Sequence, residues 1–539
     1  LPWLGQDFFP KVDGGQFKLH VRARTGTRIE ETARLCDQID QAIREVVPKS
    51  ELLTIIDNIG VPYSGINLSY SNSAPIGPSD ADVLVSLAEH HHPTAGYMRA
   101  VRAKLAAEFP NIGFYFLPTD IVSQILNFGL PAPLDIQVIG NNLEANRQYA
   151  RRMLAQVRKI PGTTDLRIHQ PFDNPKLEVV VDRTRAQQVG YSQRDVAGNL
   201  LVALSGSFQT SPTFWLNPQT GVSYSVAVQS PEYRINSLQD LLNIPVTGDT
   251  GAPPQILGNV ASVVRGTEQG TVSHYNVQPV LDIYGAVEGT DLGNVARQVD
   301  AIVAADRKEL PRGTQVIVRG QIETMRASYL GLLGGLVLSI VLVYLLIVVN
   351  FQSWLDPFII IAALPAALAG IVWFLFLTWT RLSVPALTGA IMCMGVATAN
   401  SILVVSFAKE QLAAGATAAE AARSAGFTRF RPVLMTALAM IIGMVPMALG
   451  LGDGGEQNAP LGRAVIGGLV LATVATLTFV PALFSVMHRS ADARRAAGDG
   501  PGAAGGRDTR DALDADTGEA HPAAAPRPAA LPVAVGGGR

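Results

Sequence analysis

The chain has 539 residues and a formal net charge of −2 (42 Lys and Arg against 44 Asp and Glu), so no global field directs it toward nucleic acid. Its only cysteines, Cys36 and Cys393, give no disulfide framework and no thiolate metal site. There is no Walker-type glycine loop followed by Lys and Ser or Thr, and no nucleophile constellation, which argues against an ATPase and against a hydrolase and leaves no cofactor expected.

Residues 16–24 alternate as a strand does, and 28–47 carry a helical apolar stripe of Ile29, Ala33, Ile39, Ile43 and Val46. Residues 52–59 suit a returning strand. The order then repeats as strand 82–88, helix 94–109 and strand 113–117. Two strand–helix–strand units in tandem predict a split βαβ, ferredoxin-like layer. A third unit runs through 134–140, 143–159 and 164–170, and a fourth through 280–284, 292–304 and 315–320. The stretch between them, 175–278, is strand-rich with a short helix near 193–204, and reads as an insertion into a second ferredoxin-like unit.

Five apolar stretches follow, at 327–350, 357–380, 383–408, 432–452 and 464–487, none with an acidic or basic residue in its interior. Each reaches the roughly 20 residues that a hydrocarbon core requires. The fold class is thus an α+β membrane protein, with a large soluble region before a five-span bundle. Lys409, Arg423, Arg429 and Arg431 lie between the third and fourth spans, and Arg489, Arg494 and Arg495 follow the fifth. The positive-inside rule places these in the cytoplasm and the soluble region outside, with Arg381 the one outward exception. A translocated region without its own signal implies an export segment upstream, so the chain reads as a fragment. Residues 489–539 hold almost no large apolar side chains and are expected to be disordered.

Several segments, in this order and spacing, carry a family resemblance: LGQDFFPKVDGGQF (4–17), TGTRIEET (25–32), AQQVGYSQRDV (186–196), FQSWLDPF (351–358), GVATANSILVVSFAKE (395–410), RFRPVLMTALAMIIGMVPMALG (429–450) and LGRAVIGGLVLATVATLTFVPALF (461–484). Together they resemble the C-terminal half of a resistance–nodulation–division (RND) efflux permease of the hydrophobe/amphiphile, or multidrug, type. The resemblance implies a secondary active transporter of the bacterial inner membrane, not an enzyme. It implies a homotrimer working by proton antiport, with a periplasmic adaptor, an outer-membrane channel and hydrophobic small-molecule substrates. Residues 1–13 would connect from a missing span, 14–133 form the first porter subdomain, and 134–174 with 279–320 the second. Residues 175–278 would be the docking subdomain, and 327–488 the bundle, with the tail cytoplasmic.

In that family two adjacent aspartates in the N-terminal half carry the protons. The second half usually adds a lysine, whose place here is held by Ala399. The resemblance makes Thr398, Asn400, Ser401, Thr436 and Arg429 the proton-relay support. Physically, a buried amide in lipid needs a partner, so Asn400 faces a relay or serves as helix–helix glue. Arg429 is equally explained as a cytoplasmic anchor. Pro365 and Pro446 predict kinks, and glycines at 331–335 and 467–468 predict close helix approach. For a substrate path, Tyr63 and Tyr70 sit in a polar, glycine-rich loop at 60–80. Phe114 and Phe116 share a strand face, where they line a cleft or fill a core. His90, His91 and His92 are consecutive and cannot easily converge on one ion. Two readings stand beside multidrug export: an RND exporter of metal ions or envelope lipids, of which the metal branch is weakened by Met98 and Met153 being the only methionines between 14 and 320, and a nontransporting docking scaffold.

Overall fold

The structure is a computed structural model that describes residues 4–60, 77–248, 251–452 and 454–496. Period-2 alternation builds β1 (Gln16–Arg22), β2 (Leu52–Ile59), β3 (Asp80–Leu87) and β4 (Gly113–Leu117) into one antiparallel sheet of order β2-β3-β1-β4. Helices α1 (Ile29–Val46) and α2 (Thr94–Glu108) cover one face. There Phe17, Leu19 and Val21 meet Cys36, Ile39, Ile43, Val101 and Leu105.

The same topology recurs in β5 (Leu134–Ile139), β6 (Thr163–Ile168), β14 (Gln278–Val287) and β15 (Gln315–Gly320), with helices α3 (Leu143–Val157) and α4 (Leu292–Ala305). Here β14 lies between β6 and β5, and β15 is on the far edge of β5. The chain leaves this sheet through a ribbon of β7 (Asn174–Val181) and β12 (Ala261–Glu268). Beyond it lie a small core around Tyr191, Leu257 and Val260, and two short pairs: β8 (Thr213–Leu216) with β9 (Ser223–Val226), and β10 (Pro245–Val246) with β11 (Gln255–Ile256). Every residue of β8 and β9 is exposed, including Phe214, Trp215 and Tyr224. Strand β13 (Ser273–Tyr275) returns to pair with β14 through a two-residue turn at Asn276 and Val277, both with positive φ (48° and 68°).

Five helices are long and apolar enough to cross a membrane: Gln321–Phe351, Leu355–Leu377, Val384–Ala413, Ala418–Ala448 and Ala459–Arg489. They outrun the apolar stretches of the sequence, because helical propensity continues where apolarity stops. The fourth starts at a Thr417–Glu420 capping box, so Pro432 sits inside the helix and not at its beginning. The last helix runs on to Ala496, so residues 489–496 are helical where disorder was expected. The second span breaks after Ile361 and restarts at Leu364 with Pro365 in its first turn, where a missing N–H costs nothing. The fifth span packs along the second, third and fourth.

The soluble region is fastened to the bundle twice. Strand β15 passes into the first span with no linker, because Gly320 takes φ 82°, ψ −151°, a conformation only glycine holds without strain. A Cβ there would lie 2.5 Å from the Pro133 carbonyl oxygen. The N-terminal connector makes the second tie. Asp7 N donates to Leu382 O (2.9 Å), the Asp7 carboxylate accepts from Leu292 N (2.8 Å) and pairs with Arg381 (2.7 Å), and Tyr329 Oη donates to Leu382 O (2.6 Å).

The two glycine groups differ. Gly331, Gly334 and Gly335 face open space, whereas a Cβ on Gly467 would lie 2.7 Å from the Gly370 carbonyl oxygen and press on Phe374. Close approach therefore belongs to the fifth span, where Gly467 meets the second span and Gly468 meets Cys393 of the third. Gly467→Val is expected to destabilise the bundle by about 1–3 kcal/mol through overpacking, while Gly331→Val leaves it unchanged. Thermal unfolding of the detergent-solubilised protein, followed by size-exclusion chromatography, separates the two.

Candidate functional site

Asn400 and Thr436 meet. The Thr436 hydroxyl donates to Asn400 Oδ1 at 3.0 Å, joining the third and fourth spans, and Thr436 also contacts the Val433 carbonyl (2.9 Å). Asn400 is buried within this half, while Thr436 lies on an outward face. Ser401, fully buried, shares a 3.0 Å hydrogen bond with Thr476 of the fifth span, and Thr398 is buried on the same helix. Ala399 points outward. Arg429 does not join this group: its guanidinium stacks over the Phe407 ring at 4.9 Å. It lies seven residues, or about 10 Å of helix, from Thr436. The five residues thus divide into an inter-helical polar ladder and a separate cation–π contact.

The aromatic candidates are placed as follows. Phe116 is buried beside Phe17 (ring centroids 5.9 Å apart), and Phe114 packs on Phe109 (6.2 Å), so both rings contribute to the first sheet's core. Tyr63 and Tyr70 fall outside the described residues. His92 pairs with Glu51 (2.7 Å) and His91 with the His92 carbonyl (2.8 Å), each engaged separately at the surface.

Two polar clusters were not singled out from the sequence. The first lies between the two sheets. Lys18, His20 and Arg22 alternate with the core residues of β1 and so leave the core. They face Asp82 and Asp80 on β3, with His20 opposite Asp82 and Arg22 opposite Asp80 in the register. His20 Nδ1 lies 2.7 Å from Asp82 Oδ1, Lys18 Nζ 3.1 Å from Asp82 Oδ2, and Arg22 Nε donates to Asp80 at 3.0 Å. The second sheet closes the layer. Arg22 donates to the His169 carbonyl (3.1 Å), the Arg167 guanidinium lies 4.5 Å over the Tyr115 ring, and Arg102 of α2 forms ion pairs with Asp165 (3.0 Å) and Glu288. Burial raises the Asp82 carboxyl, yet the His20 hydrogen bond and neighbouring charges hold it below the usual carboxylate range. Burial depresses His20 despite Asp82, so its imidazole is neutral at neutral pH. Burial, with the charges of Arg22 and Arg167, lowers His169 to about 3. The legible signal was charge complementarity between the polar rows of β1 and β3.

The second cluster ties the first, second, third and fifth spans near their ends. Lys409 Nζ donates to Asp356 Oδ2 and to the Phe351 carbonyl, both at 2.9 Å, and His488 Nε2 lies 3.2 Å from Asp356 Oδ1. Asp356 is 2% exposed. Each of the three lies one residue outside an apolar stretch, which is why the stretches themselves hold no charge.

An α/β region joined without a linker to five helices long and apolar enough to cross a membrane, with polar groups paired between them, has the architecture of a polytopic membrane protein. Residues 1–488 match the AcrB/AcrD/AcrF family, and the chain belongs to that family of RND permeases, which are transporters and not enzymes. It is 25% identical over 495 residues to the cobalt-zinc-cadmium resistance protein CzcA of Cupriavidus metallidurans (90% of this chain, 45% of the relative). It is 27% identical over 508 residues to the nickel and cobalt resistance protein CnrA of the same organism (92% and 45%). The multidrug resistance protein MdtC of Erwinia amylovora is 28% identical over 355 residues (65% and 34%). The crystal structure of a heavy metal efflux pump superposes with a TM-score of 0.76 at 25% identity (90% of this chain, 49% of that one). The chain spans about half the length of these metal-pump relatives.

A neutral His169 must take up a proton on unfolding in acid. Its lowered pKa therefore contributes stability that is present above about 6.5 and is lost as pH falls toward 3. His169→Gln is expected to flatten the acid limb of the curve. Unfolding midpoints of wild type and variant between pH 7.5 and 4.5 measure the difference.

Proposed function

We propose that the chain is the second half of a proton-driven exporter of the bacterial inner membrane whose cargo is a divalent transition-metal cation. The observation that carries the cargo reading is the reach of the likeness. The two metal-resistance proteins align over 90% and 92% of the chain, through soluble region and bundle alike, whereas the multidrug relative aligns over 65%. The layer between the sheets is chemically compatible, since the imidazoles of His20 and His169 and the carboxylates of Asp80 and Asp82 are ligands that borderline cations accept. Lys18 and Arg22 pair with those carboxylates in the closed arrangement, and the described residues form no group of three or more such ligands that could hold a metal, so a cation would enter only as the sheets part. This replaces the multidrug emphasis of the sequence reading with its metal-exporting alternative.

In this reading the two sheet-and-helix units are ferredoxin-like porter subdomains on the periplasmic side, at 14–133 and at 134–174 with 279–320. The inserted 175–278 is the docking subdomain, and its exposed β8–β9 hairpin supplies an apolar contact toward an outer-membrane channel. The working assembly is a homotrimer with a periplasmic adaptor, and residues after the last span are cytoplasmic. The N-terminal half, with its paired aspartates, covers the outward face that carries Ala399 and Thr436. Asn400 then acts as a neutral relay partner where a lysine is usual.

Export of hydrophobic or amphiphilic compounds is the second reading, favoured by the multidrug relative and by the scarcity of methionine ligands before the bundle. The complete two-half protein, expressed with its adaptor and channel in a strain stripped of its own exporters, tests both. Cobalt, nickel, zinc or cadmium tolerance is expected to rise several-fold, with detergent and dye tolerance unchanged; the reverse pattern would establish the second reading. Asn400→Ala is expected to abolish most of the gain at equal membrane abundance, and a variant as protective as wild type would remove Asn400 from the relay.

A further inference from the structure

The face of the second sheet turned away from α3 and α4 holds two carboxylates on neighbouring strands. Asp282 of β14 stands opposite Gln137, and Asp135 of β5, one step along the diagonal, stands opposite Tyr284. Both are buried, with Asp135 at 0% exposure. Their hydrogen bonding differs. Asp282 accepts from Gln170 Nε2 (2.7 Å) and Gln137 Nε2 (3.2 Å), which suits an ionised carboxylate. Neither carboxylate oxygen of Asp135 has a hydrogen-bond partner among the described residues. A charge left so deep and unpartnered costs far more than a neutral acid, so Asp135 carries the proton. Burial and the Asp282 carboxylate raise it well above the ordinary range, outweighing the opposing influence of the Gln137 amide and of the Arg319 charge.

A cation stands directly across the ladder. Arg319 of β15 is in register with Asp135, at a separation where opposed side chains normally meet. It is nevertheless turned away. Its Nη2 donates to Tyr275 Oη, its guanidinium lies 4.0 Å over the Tyr275 ring, and its Nε is buried without a partner. Tyr275 closes β13, the last element of the chain as it returns from the 175–278 insertion. Gln170 Nε2 contacts Ser273 of the same strand at 3.0 Å, and both of its groups also bind Asp282.

We infer that Asp135 and Tyr275 compete for the Arg319 guanidinium, so that loss of the Asp135 proton draws Arg319 across to β5 and frees the β13–β14 hairpin. The other charged and titratable groups around the pair stay fixed in this exchange. Arg167 of β6 is held between the Tyr115 and Tyr284 rings (4.5 and 5.4 Å) and remains charged. His169, 5.2 Å from the Tyr284 ring, is neutral from mild acid upward. Tyr284 is raised by burial and by the two aspartates, and does not ionise. The hairpin is therefore held in acid and released as the medium turns alkaline. The device is independent of which cargo the pump carries.

Hydrogen exchange of the full-length protein in detergent micelles, corrected for intrinsic rates, reads the exchange directly. Amides at 273–278 are expected to open at least about fivefold more at pH 8.5 than at pH 5.5, with 281–283 of the same strand as the internal reference. Asp135→Asn is expected to keep the acid level of protection at both pH values, and Arg319→Gln to lose it at both. Asp282→Asn, which removes the like charge, is expected to move the transition to lower pH. A pH-independent hairpin in the wild type overturns the proposal. So does an Asp135→Asn protein that retains the wild-type response. Should Asp135→Asn fail to fold, an unshifted transition in Asp282→Asn overturns it equally.

Discussion

The soluble region depends on where its polar sheet faces go. Each sheet spends its apolar face on its own two helices, leaving a face of Lys, His, Arg, Asp and Tyr with nothing apolar to meet. Buried charges are tolerated only when paired and hydrogen-bonded. The first sheet answers internally, setting the cations of β1 against the carboxylates of β3. The second spreads its charges over amides and tyrosines, and leaves Asp135 to be neutralised by a proton. Such a layer contributes little net stability compared with an apolar one, and its contacts can be exchanged one for another.

The bundle follows a similar economy at lower density. Asn400–Thr436 and Ser401–Thr476 satisfy neutral donors and acceptors between helices, which suits a medium that offers no water. Full charges gather at the ends, where Asp356 binds Lys409 and His488. The first and fourth spans are only 11% buried over their most apolar windows. That outward face carries Thr436, so the polar ladder reaches from the interior of this half to its surface.

What the sequence made legible follows from period. The strand at 16–22 stands inside the stretch where alternation placed it, and strands 52–59, 113–117 and 315–320 stand where apolar composition and the repeating strand–helix–strand order placed them. The polar rows were not legible as a site: alternation shows that Lys18, His20 and Arg22 leave the core, and is silent on whether water or a second sheet receives them. Asn400 stood out because an amide in an apolar run is costly, whereas Asp356 read as a flank because it sits one residue outside its run. Pro432 looked like a helix start since apolarity begins there, but the capping box at Thr417 outweighs one missing hydrogen bond. Cargo was the least legible property, since metal-resistance and multidrug relatives alike align with this chain at similar identity.

Gly320 joins the last strand of the second sheet to the first span without an intervening loop, so the two elements meet at a single pivot. The helix beyond it has 31 residues, which at 1.5 Å per residue makes an arm of about 45 Å. A tilt of about 10° at the pivot would carry its far end by about 8 Å. Small rocking of the second sheet thus becomes a side-chain-sized displacement at the far end of the first span, with the geometry of a lever and no need for a relay of contacts.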